Sequence, residues 1–403
     1  MSNDTLPEIR FPEFTDEWEQ RKLSDEMTDF IVPMRDKPKE FGGNIPWTRI
    51  EDIEGKFLND SLSEQYVTEE TIQKMNLKII PKDSLIVSSS ATFGVVAVVT
   101  QNLITNQTFI GLVPREKNTL DYWYSFFQSS EARKYMKLQS AGSTIFYIAR
   151  DSFEKMPISV PKIDEMIKIG EYFSNLDNLI TLHHRKLDLL KETKKGFLQK
   201  MFPKNGAKVP EIRFPGFTDE WEQVKLKDVA TVFDGTHQTP KYTESGVKFV
   251  SVENIKTLET EKYISQEAYD SEYSKKQAEK GDVLMTRIGD IGTAKVIETD
   301  EPLAYYVTLA LLKPNEIDSS FLAWLISSPE VQRNIWKRTL HIAFPKKINL
   351  GEINQIEMNV PSLEEQTKIG TFFKQLDDTI TLHQRELDVL KETKKGFLQK
   401  MFV

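Results

Sequence analysis

Basic and aromatic side chains alternate near the end of the second half of the chain. The stretch from Val331 to Lys347 contains five cations and no carboxylate, and Trp336, His341 and Phe344 lie among them. The cations are Arg333, Lys337, Arg338, Lys346 and Lys347. Cations beside polar and aromatic side chains suit contact with phosphates and with base edges. The pattern favours a nucleic-acid contact, and a solvated basic helix is the alternative interpretation.

Polar residues in and near loops of both halves add further candidates for such contacts. A guanidinium such as that of Arg287 can form two hydrogen bonds with a guanine edge, and serine hydroxyls can bond to bases or phosphates. Ordinary turn chemistry would explain the same residues equally well. The candidate DNA-contacting residues are Arg49, Ser88, Ser89, Ser90, Lys134, Lys137, Ser143, Thr144, His237, Gln238, Lys241, Arg287, Lys337, Arg338, His341, Lys346 and Lys347.

No catalytic motif accompanies these residues. The sequence contains no GxxxxGK[ST], HExxH, GxSxG or GxGxxG motif, which are the patterns of phosphate loops, zinc proteases, hydrolases and dinucleotide sites. It has no cysteine, and its five histidines do not form a metal-ligand spacing. Disulfides, thiolate catalysis and Cys-ligated metals are therefore excluded. We predict a binding protein with no metal, no cofactor and no catalysis of its own.

The composition is that of a folded protein with two or three domains. The 403 residues are 39% hydrophobic and 28% charged. The net charge of −8 argues against a protein that contacts nucleic acid over its whole surface, but it leaves local basic patches open. Neither a secretory signal nor an apolar run long enough to span a membrane is evident. We expect a cytoplasmic protein.

Two blocks of sequence occur twice in the chain. Residues 7–20 (PEIRFPEFTDEWEQ) recur at 210–223 with 13 of 14 positions identical, and residues 169–202 recur at 369–402 with 25 of 34 identical. The long segments between these blocks share little sequence. Gene duplication alone would explain the repeat, but drift would then affect both kinds of segment comparably. The contrast favours one constant frame that holds two different recognition segments.

The longer repeated block has the pattern of a coiled-coil helix. Mostly apolar residues recur at alternating steps of three and four. The seam positions are Phe173, Leu176, Ile180, His183, Leu187 and Leu190, and again Phe373, Leu376, Ile380, His383, Leu387 and Leu390. A helix with one apolar stripe has no core of its own, so we predict that the two helices pair with each other.

Polar residues within the repeated block have two interpretations each. His183 and His383 could serve as metal ligands or a proton switch, or they could fix the register and the partner of the coiled coil. The lysines of the KETKKGFLQKMF ends could contact phosphate, or they could interact with the negative end of the helix.

The order of the segments predicts a two-fold arrangement. Each half runs from a variable segment into a long helix, so antiparallel pairing of the helices would place the variable segments at opposite ends. Two different recognition segments at a fixed separation suit a linear ligand. Duplex DNA read as two half-sites is the leading candidate.

Together these features resemble the specificity (S) subunit of type I restriction-modification enzymes. The resemblance covers nearly the whole chain. It rests on the doubled layout and on five pieces of sequence: the openings FPEFTDEWEQRKLSD and FPGFTDEWEQVKLKD, the runs ISVPKIDEMIKIGEYFSNLDNLI and MNVPSLEEQTKIGTFFKQLDDTI, and the KETKKGFLQKMF helix ends. A GSTI loop at 142–145 belongs to the same pattern.

Two segments depart from the family pattern. Residues 163–166 (IDEM) stand where a LEEQ-like run is common, and the second half keeps that run at 363–366. Residues 343–345 (AFP) stand where the first half has its GST loop. Any role of Ser143 or Thr144 therefore does not carry over to the second half.

The resemblance implies a division of labour among subunits. Each variable segment would be a target recognition domain for one half of a bipartite double-stranded DNA site, and the helix pair would set the gap and dock the modification subunits. The chain would be inactive alone. It would join two modification subunits, which bind S-adenosylmethionine and methylate adenine, and two restriction subunits, which hydrolyse ATP, translocate DNA and cut it. S-adenosylmethionine, ATP and Mg²⁺ are thus expected on the partner subunits.

The predicted fold class is α+β, with two mixed α/β target recognition domains, two long antiparallel coiled-coil helices and an internal pseudo-two-fold repeat. The predicted domains are residues 1–160 and 204–360 for target recognition, and residues 161–203 and 361–403 for the central and distal helices. A coiled-coil adaptor that binds only proteins, a self-sufficient nuclease or methyltransferase, and a stand-alone DNA-binding regulator are the alternatives. The adaptor would not need two divergent basic segments, and the enzyme would need a catalytic cluster.

Overall fold

The chain forms two compact units, and each unit is built from residues far apart in sequence. A computed structural model describes residues 6–89, 94–140 and 147–403. The first unit consists of Met1–Arg185 and Arg385–Val403, and the second consists of Lys186–Gln384. Each of the two long helices therefore contributes residues to both units.

Two helices of 38 residues account for the repeated block. The helices are α1 (Leu23–Glu26), α2 (Glu69–Met75), α3 (Leu120–Phe126), α4 (Ser130–Gln139), α5 (Arg150–Glu154), α6 (Ile163–Lys200), α7 (Leu226–Val229), α8 (Gln266–Tyr273), α9 (Ser319–Ser327), α10 (Pro329–Arg338), α11 (Leu350–Asn354) and α12 (Leu363–Lys400). At about 1.5 Å per residue, α6 and α12 are each about 57 Å long. No helix in the described part of the chain is both long and apolar enough to cross a membrane.

The strands of both units are short. Those of the first half are β1 (Glu19–Lys22), β2 (Met27–Ile31), β3 (Ile45–Thr48), β4 (Ile53–Glu54), β5 (Phe57–Leu58), β6 (Tyr66–Val67), β7 (Ser84–Ser88), β8 (Val96–Val99), β9 (Ile104–Thr105), β10 (Phe109–Pro114) and β11 (Pro157–Val160). Those of the second half are β12 (Glu222–Lys225), β13 (Ala230–Asp234), β14 (Val247–Val250), β15 (Tyr263–Ile264), β16 (Val283–Thr286), β17 (Ala294–Val296), β18 (Leu303–Tyr305), β19 (Leu309–Pro314) and β20 (Glu357–Val360).

The first unit is organised around a six-stranded sheet. Its order is β2-β10-β7-β8-β5-β4, and a smaller sheet has the order β6-β3-β9. The apolar, mostly β-branched sequences of β7 and β8 suit a sheet buried on both faces. Leu85 of β7 lies opposite Val98 of β8 in an antiparallel pair. β1 pairs with β11 beside these sheets.

The second unit repeats this topology except for the edge strands β5 and β4, which have no counterpart among its described strands. Its main sheet has the order β13-β19-β16-β17, its smaller sheet has the order β15-β14-β18, and β12 pairs with β20. In both units the middle strand of the smaller sheet forms one parallel and one antiparallel pair. The predicted α+β fold with an internal repeat is confirmed.

In the first unit, the start of α6 lies against the end of α12. The ring of Phe173 stacks on Phe402 with centroids 5.8 Å apart. Lys394 Nζ donates hydrogen bonds to Asp177 Oδ1 at 2.6 Å and to Gln128 Oε1 at 2.9 Å. Early residues of one helix contact late residues of the other, so the helices are antiparallel in this unit.

In the second unit, the same contacts occur with the helices exchanged. Phe373 stacks on Phe202 at 5.9 Å, and Lys194 Nζ lies 2.5 Å from Asp377 Oδ1. Lys194 also lies 4.4 Å from the centre of the Trp324 ring, where a cation–π interaction is favourable. These two lysines belong to the repeated KETKKGFLQKMF ends, and each bonds with a carboxylate of the partner helix.

The short repeated block docks onto the helices in both units. Arg10 donates two hydrogen bonds of 2.7 Å to the Glu165 carboxylate, and Arg213 does the same to Glu365. The Ile9 amide donates to the carbonyl of Lys400 in the first unit. The equivalent bond in the second unit joins the Ile212 amide to the carbonyl of Lys200. The short block makes the same packing contacts in both units, which explains why its sequence is nearly identical in the two halves.

The seam positions are buried or partly buried along both helices. Phe173, Leu187, Phe373 and Leu387 are the most deeply buried of them. In the first unit, His183 is partly buried and its Nδ1 lies 3.6 Å from Glu386 Oε2.

Candidate nucleic-acid interface

Three loops of the second unit are linked to one another, two of them by backbone hydrogen bonds and the third through the side chain of Arg287. They are the loop 235–243 after β13, the turn 287–293 after β16 and the hairpin 340–347 after α10. The Gly289 amide donates to the Lys346 carbonyl at 2.9 Å, and the Ile348 amide donates to the Arg287 carbonyl at 2.9 Å. The chain segments that the sequence singled out separately therefore lie side by side.

Arg287 joins these loops from within the unit. It is 6% exposed, and its NH1 donates to Asp234 Oδ1 at 2.6 Å. Its Nε donates to the Ile348 carbonyl at 3.2 Å. Asp234 Oδ2 also lies 2.7 Å from Nε2 of the exposed His237. The guanidinium thus holds the end of β13 against the segment that follows the hairpin.

The loop 235–243 has a closely packed base at Gly235. A Cβ at Gly235 would lie 2.3 Å from the Tyr306 carbonyl oxygen, so only glycine allows this close approach. Beneath it, the buried Tyr273 hydroxyl donates to the Tyr305 carbonyl at 2.6 Å. Burial raises the pKa of Tyr273, which keeps the hydroxyl a donor. From this base the side chains of His237, Gln238 and Lys241 extend into solvent.

The hairpin 340–347 is closed at its base by a hydrogen bond from the Leu340 amide to the Lys347 carbonyl at 2.7 Å. The Trp336 and His341 rings lie 4.2 Å apart, and Lys346 Nζ lies 4.7 Å from the centre of the Trp336 ring. Lys337, His341, Lys346 and Lys347 are exposed. This combination of cations and aromatic faces suits a nucleic acid.

Arg338 differs from its basic neighbours because carboxylates and an amide surround it. Its Nε donates to Asn334 Oδ1 at 3.0 Å, and its NH1 donates to Glu352 Oε2 at 3.1 Å. The structure therefore places Arg287 and Arg338 in contacts within the unit and leaves the lysines at the surface.

The first unit has matching backbone hydrogen bonds between its loops, which we call the loop joint. The Ile148 amide donates to the Ser89 carbonyl at 2.8 Å, and the Ser89 amide donates to the Thr108 carbonyl at 2.9 Å. In the second unit Ile348, Arg287 and Thr308 make the matching bonds. Ser88 and Ser89 are buried. The candidates Ser90, Ser143 and Thr144 lie outside the described residues.

The remaining candidates of the first unit lie on other elements. Lys134 and Lys137 are exposed on α4. Arg49 is partly buried, donates from NH2 to Ser63 Oγ at 3.0 Å and lies 5.5 Å from the centre of the Trp47 ring.

Sequence reasoning missed one basic and aromatic cluster in the first unit. Lys37 Nζ lies 5.5 Å from the ring centre of Phe41 and 5.3 Å from that of Trp47. The sequence MRDKPKEFGGNIPW carried the signal, because three cations are followed by two aromatic residues.

Comparison with known proteins identifies both halves. The family model described as "Type I restriction modification DNA specificity domain" matches residues 15–192 and 218–392. The MjaVIII specificity subunit of a type I restriction enzyme from Methanocaldococcus jannaschii is 24% identical and covers 97% of this chain and 92% of its own length.

Solved structures show the same fold. The S subunit of a type I restriction-modification system from M. genitalium aligns with a TM-score of 0.63 at 14% identity, over 99% of both chains. A chain from a study of complex assembly and conformational transition of the type I R-M system aligns with a TM-score of 0.55 at 16% identity. That alignment covers 94% of this chain and 96% of the other.

Proposed function

This chain belongs to the type I restriction-modification DNA specificity family, and on that premise we propose how its two units divide the work. Each unit reads one half of a bipartite double-stranded DNA site. The chain performs no catalysis itself and directs a methyltransferase and a nuclease carried by other subunits. S-adenosylmethionine, ATP and Mg²⁺ bind to those subunits.

One observation carries this proposal: the two units keep the same frame but place different side chains at the same joint. Ser89 and Arg287 occupy matching positions, and both accept a backbone hydrogen bond from an isoleucine 59 or 61 residues later. The loops around them differ in sequence, whereas the docking pairs of Arg10 and Arg213 are the same. A constant frame with exchanged loops is what two unlike DNA half-sites require.

The long helices supply the spacing. α6 and α12 each contribute to both units, so their length determines how far apart the two half-sites lie. The gap between half-sites is then a property of helix length alone.

The helices also dock the modification subunits. Apolar side chains outside the seam are exposed on both helices. Besides Ile163 and Leu363 at the helix starts, they are Leu179, Leu182 and Leu189 on α6 and Leu382 and Val389 on α12. Exposed leucines at matching positions 182 and 382 suit two copies of one partner, each burying a helix face. Two modification subunits and two restriction subunits complete the assembly.

Methylome sequencing tests the DNA-reading role. Cells that express this chain with its modification subunit are compared with cells that lack only this chain. A split adenine-methylation motif should appear only with the chain present. No chain-dependent motif, with the partner expressed and bound, would instead support a protein adaptor. Tight sequence-specific binding by the isolated chain would support a stand-alone regulator.

A paired set of variants tests the docking role. Leu182→Ser combined with Leu382→Ser should abolish co-purification with the modification subunit, because the contact loses its apolar centre. The control is Lys191→Ser combined with Lys391→Ser, which also changes exposed positions on both helices. Circular dichroism should show intact helices in both. Equal retention of the partner by the two variants would exclude this docking face.

A further inference from the structure

The tip of the hairpin 340–347 carries two apolar side chains that contact almost nothing in their own unit. Ile342 is 99% exposed and Phe344 is 103% exposed. Single exposed apolar residues are common on protein surfaces. Here, however, two exposed apolar residues lie on one hairpin tip beside Pro345. Burial of all three side chains against a ligand would be favourable.

The surroundings of the tip are basic. Lys337, Lys346 and Lys347 are exposed near it, and the sequence from Val331 to Lys347 contains no carboxylate. Three nearby carboxylates already have partners in the unit: Asp234 is bound by Arg287, Glu352 by Arg338, and Asp290 by the hydroxyl of Thr293. An apolar tip with a cationic base complements a ligand that is anionic outside and apolar inside. Duplex DNA has this character, with phosphates outside and stacked bases within.

The base of the hairpin is held in place. Leu340 and Lys347 pair through their backbones, and the Gly289 amide binds the Lys346 carbonyl. The His341 ring packs on Trp336 and its Nε2 lies 3.0 Å from the Trp336 carbonyl oxygen. A fixed base allows the tip to be pushed into a ligand without the hairpin folding back.

We propose that Phe344 inserts between neighbouring bases of the half-site read by the second unit, with Ile342 filling the space beside it. This inference rests on the proposed function. Apolar wedges of this kind partly unstack a base step and bend the duplex. The lysines at the base hold the flanking phosphates while the wedge enters. The second unit therefore reads how easily one step of its half-site unstacks, in addition to its base edges.

Three variants of the assembled methyltransferase complex test the wedge. Phe344→Ala removes the wedge, Phe344→Trp keeps a flat aromatic ring, and Val209→Ala trims an exposed apolar residue of the same unit outside the hairpin. The probe is a duplex that carries the motif identified by methylome sequencing, with 2-aminopurine replacing each adenine of each half-site in turn, on either strand. Dissociation constants and 2-aminopurine fluorescence are measured together.

Extrusion of the target adenine by the modification subunit should raise fluorescence in each half-site, and the wedge predicts one additional step, in the half-site of the second unit only, at which fluorescence rises through unstacking. Phe344→Ala should lose that signal and bind the duplex about 5- to 150-fold more weakly, as expected from the loss of one base–aromatic stack. Phe344→Trp should retain both, and Val209→Ala should resemble the wild type.

Two other outcomes would contradict the insertion of Phe344 but leave the proposed function intact. Weaker binding by Phe344→Ala with an unchanged fluorescence pattern means that the tip touches only the DNA surface. Unchanged DNA binding with loss of the modification subunit means that the tip is a protein contact. In both cases the wild-type complex would still methylate its split motif. Loss of that motif is the result that would remove the proposed function itself.

Discussion

Phe402 lies at the end of the chain, yet it belongs to the core of the first unit. It is 3% exposed, and its ring centre lies 5.5 Å from that of Tyr122, 5.9 Å from Phe126 and 5.8 Å from Phe173. Replacement of a buried Phe by Ala costs about 3–5 kcal/mol because apolar contacts are lost and a cavity remains. Phe402→Ala should therefore destabilise the first unit by about this amount.

Hydrogen exchange followed by mass spectrometry measures the effect unit by unit, which matters because a chain with two units need not unfold in one step. A loss of about 3–5 kcal/mol corresponds to exchange about 150- to 4,000-fold faster for amides that exchange by opening of the whole unit. Faster exchange should be confined to peptides of Met1–Arg185 and Arg385–Val403, the residues of the first unit.

The second half provides the matched control. Phe202 occupies the equivalent place, 2% exposed and packed on Trp221, Phe321 and Phe373. Phe202→Ala should accelerate exchange in Lys186–Gln384 instead. If Phe402→Ala accelerated exchange equally in both units, or in neither, the assignment of the chain's end to the first unit would be refuted.

Three further predictions concern the ion pairs and the helices. Glu365→Gln should destabilise the second unit by about 3–5 kcal/mol in thermal unfolding, since it leaves the Arg213 guanidinium buried without its carboxylate; Arg213→Met combined with Glu365→Leu should recover most of the loss, and no recovery would show that the pair contributes more than charge compensation. A hydrogen bond from Lys374 lowers the pKa of Glu298 below its ordinary value of 4.5, so this pair stabilises the folded state above that pH and the stabilisation is lost as the pH falls through the lowered pKa. Lys374→Met should flatten this part of the acid dependence of unfolding as the pH falls below 4.5, and an unchanged curve would contradict it. Insertion of seven residues into both α6 and α12 should lengthen the gap of the methylated motif by about three base pairs, because seven helical residues add about 10 Å; altered half-site bases in the methylome would refute the role of the helices as a spacer.

Much of the frame could be predicted from local patterns. The alternating steps of three and four from Phe173 to Leu190 specify an amphipathic helix, since that spacing puts each apolar residue on one face. The apolar runs around β7, β8, β16 and β17 specify strand pairs. Because the blocks are repeated, a helix or strand predicted in one half is also predicted at the equivalent place in the other half.

The candidate site was predicted less completely, because exposure depends on distant residues. Arg287 and Arg338 have the sequence context of DNA-contacting residues, but the fold brings Asp234 and Glu352 to them from 53 and 14 residues away. The sequence identifies Phe344 only as an aromatic residue among cations. Its complete exposure, on a hairpin whose Lys346 carbonyl is bound by the Gly289 amide, is not specified by any local pattern.

The sequence alone determined the doubled plan, the two paired helices and the family, because each is written in repeats and periodic spacing. Only the tertiary structure decided that the last helical turn of the chain completes the first unit, and which cations remain at the surface. Contacts such as Lys394 with Gln128 join residues 266 positions apart. Which residues form such contacts depends on the packing of the whole fold, because apolar side chains must be buried and buried charges must be paired at the same time.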